Sequence, residues 1–87
     1  MYEVLIPKKM RRGIVKLPDD VQKLFWLLIF ELKEKGAIRK ELANFSDLGK
    51  GKYHCHVKRK HIVCWTWQKK STVIAIYYAG SREGAPY

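Results

Sequence analysis

Eighty-seven residues make one domain, spanning 1–87, with a small core and modest stability. Eighteen lysines and arginines against eight acidic residues give a net charge of +10, which implies an anionic partner: nucleic acid first, an acidic protein or a membrane surface second. An apolar fraction of 47%, arranged in periodic runs, excludes a disordered chain, and the strongest apolar run, residues 25–30, is far too short to span a membrane.

The amino terminus carries a short apolar run with its charges on the wrong side for a secretory leader. With two cysteines and no leader, a cytoplasmic location and reduced thiols are expected. Residues 2–6 read as a short strand ended by Pro7. Lys8, Lys9, Arg11 and Arg12 follow as a basic patch on a first helix ending near Leu17. Pro18-Asp19-Asp20 opens a second helix, because proline suits a helix start and the carboxylates favour the positive end of its dipole. It runs to Lys35 and stops at Gly36.

Val21, Leu24, Leu28 and Leu32 form one stripe of that helix, and Phe25, Trp26, Leu27, Ile29 and Phe30 widen it beyond a single face. A helix so apolar must be covered from several sides, and any face left over needs a partner chain. Residues 37–52 read as a polar connection with a helical turn around 39–44. Three strands follow, over 53–57, 62–67 and 72–79, rich in Val, Ile, Trp and Tyr and joined at 59–60 and 68–71. The expected class is α+β: an N-terminal strand, a helical hairpin, then a three-stranded antiparallel meander with helices on one face.

Along 53–57, Tyr53, Cys55 and Val57 point one way, and His54, His56 and Lys58 the other. A two-residue turn at Arg59-Lys60 would set Lys58 opposite His61, His56 opposite Val63, His54 opposite Trp65 and Cys55 opposite Cys64. One face then collects His54, His56, Lys58, His61 and Trp65, and a core layer collects Tyr53, Cys55, Val57, Ile62 and Cys64. A slip of one residue would undo that agreement. The polar face reads as a solvated basic surface, a metal site or a phosphate site. His-x-His can chelate zinc, but Cys55 points away and no acid adjoins, so neither a metal nor another cofactor is expected. For phosphate chemistry, imidazoles exchange protons near neutral pH and cations offset charge on the phosphate. RNA supplies its own 2′-hydroxyl nucleophile, so such a site can work without metal.

The chain ends in a strand running into Gly80, then Ser81-Arg82-Glu83 and a terminal Tyr87. This ending, behind the meander, resembles that of RelE/ParE-type toxins, specifically the RelE-like mRNA interferases. The resemblance covers nearly the whole chain, and residues 80–87 are its most specific piece. It implies a toxin of a type II toxin-antitoxin pair, an endoribonuclease cleaving mRNA at the ribosome. By the resemblance, His54 and His56 occupy the two basic positions of the strand entering the meander, serving as base and phosphate contact. Arg82 matches the arginine after the last strand, and Tyr87 the near-terminal tyrosine that stacks on a base or assists proton transfer. Where the family usually has an arginine on the next strand, His61 stands, with Lys60 and Arg59 beside it.

Lys58 or His61 is expected to bind phosphate. Trp65 is a candidate stacking platform or a packing residue. Lys8, Lys9, Arg11, Arg12, Lys50 and Lys52 are candidates for backbone contacts that give affinity without sequence. The resemblance further implies an antitoxin protein as partner, beside mRNA and the ribosome. The alternatives are a ParE-type toxin acting on DNA gyrase without RNase chemistry, and a non-catalytic basic nucleic-acid-binding module.

Overall fold

Two prolines start the helices. Pro7 and Pro18 both sit at the N-cap with extended ψ (143° and 147°). The Pro18 carbonyl accepts the first helical bond, from the Gln22 amide at 2.9 Å. The computed structural model describes residues 1–42 and 44–86. Over these residues the order is β1 (Glu3–Leu5), α1 (Lys8–Ile14), α2 (Asp19–Lys35), β2 (Ser46–Gly49), β3 (Lys52–His56), β4 (His61–Trp67), β5 (Val73–Ser81) and a closing 3-10 turn (Arg82–Gly84). The α+β class, the helical hairpin and the meander are all present.

The helix α2 ends at Gly36, whose φ of 94° lies where glycine is favoured. A Cβ there would also come within 2.9 Å of the Tyr2 ring. The Tyr2 amide donates to the Lys33 carbonyl at 2.8 Å, so this close approach ties the start of the chain to the end of α2. From there β1 runs parallel to β5, with Val4 beside Ile74, and closes one edge of a five-stranded sheet ordered β1-β5-β4-β3-β2.

The strand β2 is an addition to the expected polar connection. It pairs antiparallel with β3, Ser46 beside His54, and forms the other edge. Of the expected helical turn at 39–44, Ala43 lies outside the described residues. The remainder makes tight turns, with Leu42 donating to the Arg39 carbonyl and Phe45 to the Leu42 carbonyl. α1 ends at Ile14, three residues short of expectation, after Gly13.

The register of β3 and β4 corrects the sequence reading. Tyr53 pairs with Trp65, His54 with Cys64, Cys55 with Val63 and His56 with Ile62. The cause is the turn. Val57 donates to the His61 carbonyl at 2.8 Å, so Lys58, Arg59 and Lys60 form a three-residue loop rather than a two-residue one. Lys58 takes a positive φ of 76° there. One extra loop residue turns every side chain of β4 to the opposite face.

Val63 and Trp65 therefore join Tyr53, Cys55 and Val57 in the core beneath the helices, with Ile14, Phe25, Leu28, Ile29, Leu32, Ile74 and Ile76. Trp65 is wholly buried, and its indole Nε1 donates to the Ala37 carbonyl at 3.1 Å. Its ring lies among Tyr53 and Phe45, at centroid distances of 6.5 and 6.1 Å. Trp65 is thus a packing residue and not a platform for a base. Cys64 and Ile62 leave the expected core layer for the imidazole face, although both are fully buried.

A second irregularity lies in β5. Cys64 pairs with Tyr78 but Trp65 with Ile76, leaving Tyr77 as an extra residue. Ile76 faces the core opposite Trp65 and Ala79 opposite Val63, so both Tyr77 and Tyr78 turn to the face that carries the histidines. α2 buries Val21, Phe25, Leu28, Ile29 and Leu32 against the sheet and leaves Trp26, Leu27 and Phe30 46%, 60% and 61% exposed, the excess apolar face expected from its sequence.

Candidate active site

The face of the sheet away from the helices presents three short rows. Lys52 of β3 lies beside Thr66 of β4, with the Tyr77 bulge adjacent. His54 lies beside Cys64 and Tyr78, and His56 beside Ile62 and Gly80. The imidazole centroids of His54 and His56 are 6.0 Å apart. The Lys52 ammonium sits 5.9 Å from the centre of the Tyr77 ring.

These neighbours set the titration of the site. His54 is only 6% exposed, and this burial, together with the charge of His56, lowers its pKa below the ordinary 6.5. It is therefore a neutral imidazole at pH 7. The Cys64 thiol is pushed up to about 11 by burial, with a hydrogen bond from Tyr77 acting in the other direction. Cys55, on the core side, is pushed up to about 12 by burial and by the neighbouring Cys64. Both cysteines are free thiols and lie on opposite faces, so the cross-strand pairing that could have joined them does not arise. Among the described residues, no three His, Cys, Asp or Glu side chains are gathered closely enough to hold a metal ion.

Both thiols should resist a thiol-specific disulfide reagent at pH 8 and react only on addition of denaturant, because the thiolate is the reacting form. Rapid titration of either one in the native protein would contradict this burial.

At the end of the sheet nearest His56, a recess of about 340 Å³ is lined by Lys60, His61, Ser81, Arg82 and Glu83. The pairing of His61 with Ser81 builds it, and the Arg82 amide locks it by donating to the Lys60 carbonyl at 2.7 Å. Among the described residues, Lys60 and Arg82 carry no side-chain ion pair, and they share the recess with His61 and with the carboxylate of Glu83. His56 and Gly80 are separated by one intervening strand, roughly 10 Å between backbones.

The sequence-derived candidates divide accordingly. His54, His56 and Lys52 share one face. His61, expected on that face, is turned with Val63 and Trp65 to the other side of β4 by the extra loop residue, and meets Arg82 in the recess at the sheet's end with Lys60. Lys58 does not join the histidines: it leaves the strand at its positive φ and pairs with Asp20 at 2.8 Å on the surface. That contact lowers the Asp20 pKa and ties the loop to the start of α2. Lys8, Lys9, Arg11 and Arg12 are exposed on α1, where Lys9 lines a recess with Tyr77 and Tyr78 of β5. Lys50 is exposed in the β2–β3 turn. Tyr87 lies outside the described residues.

Tyr77 and Tyr78 are the site residues that sequence reading missed. Their signal was the doublet itself: adjacent aromatics in a strand share a face only across a bulge.

No family model matches the sequence, nor does any curated protein sequence. Solved structures do match. The archaeal RelE–RelB complex from Pyrococcus horikoshii OT3 contains a chain that superposes with a TM-score of 0.74 at 20% identity, covering 97% of this chain and 98% of that one. The isolated E. coli RelE toxin gives 0.74 at 14% identity, covering 99% and 89%. A chain of the YoeB–YefM complex from Staphylococcus aureus gives 0.71 at 12% identity, covering 94% and 98%. The chain has the fold of RelE-type toxins. The match runs over essentially the full length, so the fold expected from the C-terminal resemblance is the fold observed. No described helix is long and apolar enough to cross a membrane.

Proposed function

We infer that this protein is the toxin of a toxin-antitoxin pair and an endoribonuclease that cleaves mRNA without a metal ion. The observation that carries the reading is a neutral, buried imidazole next to a second imidazole and a lysine, with an open arginine recess at the end of the same sheet. In the proposed reaction His54 removes the proton from the ribose 2′-hydroxyl. The oxygen attacks the adjacent phosphorus, and the 5′-oxygen leaves with a proton donated from His56. The products are a 2′,3′-cyclic phosphate and a 5′-hydroxyl end. Arg82, with Lys60 and His61, holds the phosphate and offsets the charge that grows on it in the transition state. Lys52 neutralises a neighbouring phosphate. In this arrangement the recess takes the part of the phosphate clamp, with His61 flanked by Lys60 and Arg82.

An antitoxin is the proposed protein partner, supported by the solved complexes of similarly folded chains with RelB and YefM and by the exposed apolar face of α2. The ribosome is the proposed setting for cleavage, since its RNA offers further anion to a chain of charge +10.

The test is repressible expression with mapping of mRNA ends, comparing wild type with His54→Ala, His56→Ala and Arg82→Ala. Growth arrest with new 5′ ends in coding regions, lost in the variants, supports the reading. Arrest with an SOS response and intact mRNA would replace it with gyrase poisoning, and harmless expression would end it.

A pH profile adds a second check. Because His54 binds its proton more weakly than a free imidazole, the acid limb of the single-turnover rate should lie below pH 6.5. The same shift affects stability. The unfolded chain binds the proton better, so the contribution of His54 is fully present above the unfolded value near 6.5 and declines as pH falls below it. His54→Gln should flatten that part of the stability profile, read by denaturant melts between pH 7.5 and 5.

A further inference from the structure

The turn that carries Arg82 is held from below by a tyrosine that nothing in the proposed chemistry uses. The Tyr78 hydroxyl donates to the Ser81 carbonyl at 2.7 Å. Two glycines make room for it: a Cβ on Gly80 would lie 3.1 Å from that hydroxyl, and one on Gly84 only 2.8 Å from it. The next two links fix the turn from its other sides. Ser81 caps it, its hydroxyl accepting from the Glu83 amide at 3.2 Å, and the Arg82 amide donates to the Lys60 carbonyl at 2.7 Å. Tyr78 is itself anchored in the imidazole row, opposite Cys64 and one strand from His54.

We propose that Tyr78 is a positioning residue: its hydroxyl, seated between Gly80 and Gly84, holds the closing turn so that Arg82 faces the recess beside Lys60 and His61. The physical reason is entropic. An arginine on an untethered turn samples many orientations, and each fixed backbone bond removes some of them before the substrate arrives. The tyrosine links the row that holds the base to the turn that holds the phosphate ligand, so the two parts of the site move as one. This inference rests on the ribonuclease reading for its consequence in catalysis, but not for its structural content.

The experiment uses Tyr78→Phe, which keeps the ring and removes the hydroxyl. Amide hydrogen exchange of the full chain should show the Arg82 amide exchanging about tenfold faster, the loss of one hydrogen bond, with the amides of Trp65 and Ile76 unchanged. Unchanged protection at Arg82 would overturn the proposal. In single-turnover cleavage, Tyr78→Phe should lower the rate at saturating RNA with little change in the half-saturating concentration. It should also cost nothing further in an Arg82→Ala background, and additive losses would again overturn the proposal. Gly84→Ala should loosen the turn in the wild type but not in Tyr78→Phe, because the atom that its methyl would strike is gone. Equal damage in both backgrounds would assign the glycine another role and sink the two-glycine seat. If the wild type cleaves no RNA, the ribonuclease reading fails, while the exchange measurement still decides the clamp.

Discussion

His54→Ala is expected to lower the single-turnover rate of RNA cleavage by about 10²–10⁴-fold, the range for losing a positioned general base. The cause is electrostatic. A base must be unprotonated at working pH and still accept a proton as the reaction proceeds, and burial beside His56 places His54 in that condition. His56 is more exposed and lies in the row nearer the arginine recess, which suits it to the leaving oxygen. His54→Ala should therefore remove the acid limb of the pH profile, whereas His56→Ala should reduce the rate and leave that limb in place. A His54→Ala protein that keeps its acid limb and most of its rate would show that the base is elsewhere. Thermal melts of the same variant serve as the control, since a fold change would confuse the comparison.

Trp65→Ala is expected to cost about 3–5 kcal/mol of stability. The residue is wholly buried, stacks among Phe45 and Tyr53, and closes a hydrogen bond to Ala37 across the core. Removing it leaves a large cavity and an unpaired carbonyl. For a domain of this size total stability is about 5–15 kcal/mol, so the melting temperature should fall by roughly 15 °C or more. Trp65→Phe should recover much of the packing but not the hydrogen bond. This variant also tests the register. Had Trp65 stood on the imidazole face, truncation would weaken RNA binding and leave the melting temperature nearly unchanged.

The difference between those two outcomes turns on one loop residue. The alternation of β3 was legible, because Tyr53, Cys55 and Val57 are apolar where His54 and His56 are not. The partner strand was not. Ile62, Val63, Cys64 and Trp65 are four consecutive apolar residues, so pattern alone does not say which alternate pair faces the core. The turn between the strands has no Asn-Gly or Asp-Gly to fix its length, and Lys58 adopts an uncommon positive φ. β2 was missed because Ser46, Asp47 and Gly49 have little strand preference; the sheet forms there because β3 offers a pairing edge, not because those residues seek it. The α2 helix, by contrast, was legible end to end, from Pro18 and the paired aspartates to Gly36, because its signals are local.

A basic α+β domain, the length of α2, the face shared by His54 and His56, and the arginine at the end of the last strand could all be read from the residues. These follow from local periodicity, capping and composition. It took the folded chain to show that Trp65 belongs to the core, that Lys58 turns away to Asp20, that Tyr77 and Tyr78 share a face across a bulge, and that Lys60, His61 and Arg82 line one recess. Those are matters of register, set by how many residues a turn or bulge contains. They are resolved only when two strands commit to one pairing and the largest fully buried side chain, Trp65, finds its place beneath the helices.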